Sequence, residues 1–298
     1  MDHKAGYVTI IGYPNVGKST LMNALVGEKL SGITPKAQTT RHRILGILSD
    51  ENHQMIFSDT PGILTPKYKL QQAMLSAISA SLSDADIILL VTEPGLGFSH
   101  KEILQKIIQT GLPVIILINK IDTISQDKLE TEVENWAKIL PQAEILPVSA
   151  LHKSNLDLLK SRLIKLLPSH PPYYDKDELT DRNERFFVSE MIREKILINH
   201  SQEIPYSVEV AIDTFREEES LIRIRAIIYI ARESQKAIIL GHEGRAIKKL
   251  GTDARKSIEE FLGRHVFLEL HVKVSKDWRE NELTLKRFGY HINEEPDS

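Results

Sequence analysis

The stretch "GYPNVGKST", Gly12–Thr20, follows the apolar run "YVTII" and precedes the helical pattern "LMNALVG". It fits G-x-x-x-x-G-K-[ST] at a strand-to-helix turn. A glycine loop that opens a helix points backbone N–H groups and the positive end of the helix dipole at one spot, an arrangement suited to phosphate. The N–H groups of Asn15, Val16, Gly17, Lys18, Ser19 and Thr20 are expected to wrap a phosphate chain. Lys18 is expected to bridge its outer groups and the Ser19 hydroxyl to ligate Mg2+. The loop alone does not choose between ATP and GTP.

The surroundings choose. Up to about Leu167, Ile-, Leu- and Val-rich runs alternate with helical patterns: "HQMIFSD", "DADIILLVTE", "PVIILINKID" and "AEILPVSAL" follow the first strand. Runs without polar alternation suit strands buried on both faces, as in a mostly parallel sheet flanked by helices. Such α/β sheets bind ligands at the carboxyl ends of their strands, where the remaining motifs fall. In "DTPG" (Asp59, Thr60, Pro61, Gly62) a carboxylate can reach the Mg2+ shell, and the Gly62 N–H can meet a γ-phosphate. In "NKID" (Asn119, Lys120, Asp122) a carboxylate can accept both the N1–H and the N2–H of guanine. Adenine lacks that donor pair, and a site built on such bonds discriminates strongly. "SAL" (Ser149, Ala150, Leu151) supplies a backbone N–H for the guanine O6. Four motifs in this order predict a P-loop GTP site, with Lys18 and Gly62 as the groups acting on the transferred phosphate.

The 298 residues suit two domains with real cores. No apolar run approaches the length of a membrane span, no signal-peptide layout opens the chain, and cysteine is absent, which excludes disulfides and thiolate metal sites. A cytoplasmic protein is expected. The formal charge of −3 argues at first against a nucleic-acid partner. Between Lys236 and Lys256, however, six basic residues stand against Glu243 and Asp253, a local surplus of four.

That basic stretch lies in the second half. "LPSHPPYYDKDELTD", rich in proline and charge, reads as a linker over 169–180, between domains at 1–168 and 181–298. Beyond it Asp181 and Glu184 have capping-box spacing, and Phe187, Val188, Met191, Ile192 and Ile198 are expected to share a helical face. "SVEVAID" and "LIRIRAIIYI" alternate as antiparallel strands. A helix over Arg245–Leu262 leads to "VFLELHVKV", whose Val266, Leu268, Leu270, Val272 and Val274 share a face. Between two helices sits a second glycine turn, "GHEG" (Gly241–Gly244).

The chain resembles the Era family of TRAFAC-class GTPases over essentially its whole length. The resemblance rests on the phosphate loop, on "QTTRHR" (Gln38–Arg43), on "DTPG", on the linker end "TDR" (Thr180–Arg182) and on "IREKIL" (Ile192–Leu197). It implies an α/β P-loop GTPase domain followed by an α+β type II KH domain with a C-terminal helix. It implies a GTP/GDP switch that binds 16S ribosomal RNA near its 3′ end and assists 30S subunit maturation, as a monomer. Switch I then spans Gln38, Thr39, Thr40 and Arg41. The threonine doublet leaves the Mg2+ ligand open between Thr39 and Thr40, with Thr40 preferred beside Ser19 and Asp59. Ile63 stands where Ras-like enzymes place a water-orienting glutamine, so slow intrinsic turnover is expected. Asn15 matches the asparagine with which potassium-stimulated relatives hold K+; the alternative is that it only braces the loop. Gly241, His242, Gly244, Arg245, Lys248, Lys249 and Lys273 are the expected RNA contacts, although Glu243 would repel a phosphate. Two rivals remain: an RNA-binding scaffold with an idle nucleotide domain, and a GTPase peripheral to the inner membrane.

Overall fold

The six-stranded sheet of the first half, in a computed structural model that describes residues 3–200 and 203–292, has its phosphate-loop strand near the middle. In chain order its strands are β1 (Lys4–Gly12), β2 (Ile44–Ser49), β3 (His53–Asp59), β4 (Ile87–Thr92), β5 (Val114–Ile118) and β6 (Glu144–Pro147), arranged β2-β3-β1-β4-β5-β6. All neighbours run parallel except the β2–β3 pair. Strand order reverses at β1, and the crevice at such a switch point is where an open α/β sheet binds its ligand. Helices α1 (Lys18–Val26), α2 (Lys69–Ser83), α3 (Lys101–Thr110), α4 (Gln126–Ile139) and α5 (Leu156–Leu166) complete this half. Every residue of β4 and β5 is buried, which explains their unbroken Ile/Leu/Val composition.

The reading of apolar runs misses β2. It is an edge strand, joined to β3 through three residues whose turn is held by Asp50, its Oδ1 accepting the N–H groups of Asn52 and His53 at 2.8 Å. An aspartate-led turn between "RILGILS" and "HQMIF" was the available signal.

The second half contains α6 (Glu184–Asn199), the single turn α7 (Ile204–Ser207), β7 (Val208–Glu217), β8 (Ile222–Ile230), α8 (Glu233–Leu240), α9 (Arg245–Leu262), β9 (Val266–Val274) and α10 (Glu282–Arg287). The β7–β8 pair is antiparallel and β8–β9 parallel. Val188, Ile192 and Ile196 of α6, Ile239 of α8, and Leu250, Ala254 and Ile258 of α9 bury against the alternate residues of β8. Two expectations fail here. The cap of α6 is Asn183, whose side chain accepts the Phe186 N–H, rather than Asp181. Ile198 is 52% exposed while Ile196 and Leu197 are buried, because in the last turn the helix turns the Ile196–Leu197 arc to the core and Ile198 lies about 100° beyond Leu197, outside it.

The chain divides into two compact units: 1–33, 40–65 and 74–181 in the first; 34–39, 66–73 and 182–298 in the second. The stretch read as a linker belongs to the first. Fully buried Gln54 accepts the N–H groups of Tyr173 and Tyr174 at 2.8 and 3.0 Å and donates to the Tyr174 carbonyl at 2.9 Å. The Leu179 carbonyl accepts the Ile47 N–H at 2.8 Å. One side-chain amide thus ties down a proline-rich segment that has no hydrophobic period. Residues 1–2 and 293–298, at the ends of the expected domains, lie outside the described residues.

Candidate nucleotide site and candidate RNA interface

Gly17 lies in the left-handed region (φ 96°) directly before α1, and Val16 is buried. Lys18 Nζ donates to the carbonyls of Gly12 and Tyr13 at 3.1 and 2.8 Å. Burial pushes the Lys18 ammonium down to about 8, against the opposing pull of Asp59. A bound polyphosphate would favour the charged form and raise that value, so binding above pH 8 takes up a proton. Nucleotide affinity is therefore expected to be flat below about pH 7 and to fall as the pH rises through 8. From pH 7 to about 8.5 the expected loss is about fourfold. Titration with fluorescent GDP checks this, and a flat profile would contradict it.

Three candidate metal ligands meet. The Ser19 hydroxyl donates to Asp59 Oδ2 at 2.8 Å and lies 2.9 Å from Thr40 Oγ1. Thr39 is engaged elsewhere, its Oγ1 2.6 Å from both Thr34 Oγ1 and the Lys36 carbonyl. The geometry thus brings Thr40, rather than Thr39, to the cluster. Asp59 is fully buried, which pushes its carboxyl up against the pull of Lys18 and Ser19. Its Oδ1 has no well-formed hydrogen-bond partner among the described residues, although the nearby Ser31 and Thr40 hydroxyls also lower the carboxyl. A bare buried carboxylate oxygen is costly unless a cation meets it. Two hydroxyls and a carboxylate are the hard oxygen donors that suit Mg2+ alongside phosphates. Mg2+ fits these residues.

The DTPG segment presses on the loop. Thr60 Oγ1 donates to the Ile10 carbonyl at 2.8 Å, and the Ile63 N–H to the Gly12 carbonyl at 3.0 Å. The Ile63 side chain is buried among Ile11, Ile78 and Ile88, so it packs a core instead of facing a water. Arg41 is buried. Arg43 donates to Ser58 Oγ and pairs with Asp84, just ahead of β4 and so at the opposite end of the sheet from the loop.

On the base side, Asn119 rivets three motifs. Its Nδ2 donates to the Val16 carbonyl at 2.8 Å, and its Oδ1 accepts the Ala150 N–H at 2.9 Å. Lys120 donates to the Asn15 carbonyl at 2.7 Å and pairs with Glu93 at the end of β4. The motif reading does not find Glu93, because its partner lies 27 residues away. Ser149 Oγ donates to Asp122 Oδ1 at 2.5 Å and holds that carboxyl below its ordinary range, with minor help from His152 and Lys120. Leu151 is 72% exposed, and its backbone N–H is the group expected to serve the site.

Gln38 and Thr39 belong to the second unit. There the carbonyl of Gln38 accepts from buried Arg193 at 3.3 Å, as does that of Thr39. Arg193 also pairs with Glu190. No local pattern announces this role, since the partners are about 155 residues apart.

The second glycine turn has the backbone its sequence requires. Gly241 and Gly244 have φ of 70° and 73°, and a Cβ on Gly241 would stand 2.6 Å from that of Ala246. Glu243 shares the left-handed conformation at φ 52°. Arg245 opens α9 and pairs with Glu243 at 2.8 Å, so the acid blunts the nearest cation. His242, Lys248 and Lys249 are exposed beside the turn. Lys273 is not among them. Leu270, Val272 and Val274 of β9 pack in the core under the helices, and strand alternation puts Lys273 on the other face of the sheet.

Family models match in both halves: "50S ribosome-binding GTPase" over residues 7–120 and "KH domain" over residues 203–279. GTPase Era of Thermoanaerobacter sp. (strain X514) is 41% identical over 98% of both chains. That of Syntrophus aciditrophicus (strain SB) is 44% identical over 96% of this chain and 95% of its own. The chain belongs to the Era family of GTPases. Among solved structures, an Aquifex aeolicus Era variant bound to GDP and AlF4− is 40% identical with a TM-score of 0.93, covering 96% of this chain and 99% of its own. Era in complex with MgGDPNP and nucleotides 1506–1542 of 16S ribosomal RNA gives the same identity and TM-score, over 97% and 99% of the two chains. The fold is thus the Era arrangement of a P-loop GTPase domain and a KH domain. Membership makes the protein a GTPase, against the idle-scaffold reading.

Proposed function

We propose that this Era-family GTPase is a switch that binds 16S ribosomal RNA near its 3′ end and assists 30S subunit maturation. GTP is held by Gly12–Thr20 and Asp59–Gly62, with guanine at Asn119, Asp122 and the backbone of Ser149–Leu151. Ser19, Thr40 and Asp59 would hold Mg2+, which when bound would neutralise charge on the phosphates. The Gly241–Gly244 turn and the start of α9 take the RNA backbone. One observation carries the reading: a single chain joins the Ser19–Thr40–Asp59 cluster to the "GHEG" turn. The likeness to Era bound to MgGDPNP and ribosomal RNA supports it.

The test is RNA binding by the full chain loaded with GDP or with a non-hydrolysable GTP analogue, at fixed salt. Tighter binding of the 3′-end RNA than of a scrambled RNA is expected in the analogue form, with a loss of more than about tenfold in Gly244→Asp, where a carboxylate faces the phosphates. No preference for the cognate RNA would sink the reading.

With Ile63 buried, hydrolysis lacks a glutamine to orient water. Lys18 and the Gly62 N–H remain to stabilise charge on the transferred phosphate, and turnover is slow. K+ held beside Asn15 would supply charge that other GTPases take from an arginine. Initial rates in KCl are expected to exceed those in NaCl at equal ionic strength; equal rates would remove K+ from the account. The protein is expected to act as a cytoplasmic monomer. Among the described residues no helix is long and apolar enough to cross a membrane, and flotation with liposomes tests peripheral attachment.

A further inference from the structure

Lys273 has different company from the glycine turn. In β8 and β9 the residues facing the helices alternate with residues on an uncovered face, and the parallel register sets Arg223 beside Phe267 and Arg225 beside Glu269. His271 and Lys273 continue that face, and Arg216 joins it from β7 opposite Arg223. All of these but Glu269 are exposed. Phe267, 48% exposed, lies under the Arg223 guanidinium at 4.7 Å. The face ends where Phe288 covers Tyr229, ring centres 5.0 Å apart.

Four permanent cations stand on this face, Arg216, Arg223, Arg225 and Lys273, against Asp213, Glu218 and Glu269, a surplus of one within a chain of net −3. Arg225 pairs with Glu269 and Asp213 at 3.0 and 3.9 Å, and Arg223 with Glu218 at 3.1 Å. These pairs are solvent-exposed and therefore weak, so phosphates can displace the acids. A guanidinium-backed ring among cations is the chemistry on which unstacked bases rest. Among the described residues of this face Phe267 is the one exposed large apolar side chain, too little to suit a hydrophobic partner. From Phe267 to Lys273 the strand runs about 20 Å, room for roughly three nucleotides.

We propose that this open sheet face is a second RNA-binding surface, which takes a single-stranded segment distinct from the one at the "GHEG" turn, with Phe267 as the stacking platform. The proposal rests on the reading that the second unit binds RNA. The test uses the full chain and two RNAs sharing one 3′-end sequence, a 10-mer and an unstructured 30-mer. The double variant Phe267→Ala/Arg223→Gln is expected to bind the 30-mer about tenfold more weakly, with a salt slope shallower by about one, and the 10-mer unchanged. Unchanged 30-mer binding by a variant with the parent's melting temperature overturns the proposal. If the double variant melts early, a photo-crosslinking phenylalanine at position 267 decides: crosslinks to the 30-mer support the surface, and none exclude it. Gly244→Asp separates the two ideas, since its failure to weaken either RNA counts against the underlying reading alone.

Discussion

Asp122→Asn is expected to weaken GTP and GDP binding by about four orders of magnitude. In the proposed base site the carboxylate would accept two guanine N–H groups at once, whereas an amide must turn its own NH2 toward one of those donors. The base is then left facing a mismatched donor in place of two charge-assisted bonds. The fold should tolerate the change, since Ser149 Oγ donates to this position at 2.5 Å and an amide oxygen can accept the same bond. Xanthine carries a carbonyl where guanine carries its exocyclic amine, so the variant should recover affinity for xanthosine nucleotides. Competition titrations against fluorescent GDP measure both effects. Retained GDP affinity, or no gain for the xanthine nucleotide, would move base recognition away from Asp122.

Gly62→Ala is expected to slow GTP hydrolysis by about 100- to 1000-fold, the range for loss of one donor to a developing oxyanion. A Cβ at this position would stand 2.8 Å from the backbone N and Cα of Pro14 and 2.7 Å from its Cγ. Pro14 sits inside the phosphate loop and cannot swing aside as a long side chain could. The β3 end must therefore retreat, taking the Gly62 N–H away from the γ-phosphate. The base contacts lie elsewhere, so GDP affinity should stay within a few-fold of the parent. Single-turnover hydrolysis and GDP titration separate the two; an equal fall in both would mean that the loop itself had collapsed.

The motifs of the candidate nucleotide site were legible because its parts are short and contiguous. A loop such as Gly12–Thr20 performs its task with neighbouring backbone groups, and the motif therefore carries its own geometry. The same holds for the "GHEG" turn, whose two glycines adopt positive φ. Legibility ended where a role depends on a partner far along the chain. Glu93 beside Lys120, Gln54 beneath Tyr173 and Tyr174, and Arg193 at the carbonyls of Gln38 and Thr39 have no local signature. The short β2 strand hid for a related reason: an edge strand is recognised by what it pairs with.

Residue order alone thus carried the fold class, the phosphate and guanine motifs, the second glycine turn and the periodicities of the elements, all of which follow from backbone geometry over a few residues. Packing decided which of two adjacent threonines meets Ser19 and Asp59, whether Ile198 is covered, and on which side of its sheet Lys273 stands. Periodicity reports which residues share a face, but only the neighbour laid against that face makes it the inside. For β9 that neighbour is a helical layer on the side of Leu270 and Val272, and it leaves Phe267, His271 and Lys273 to the solvent.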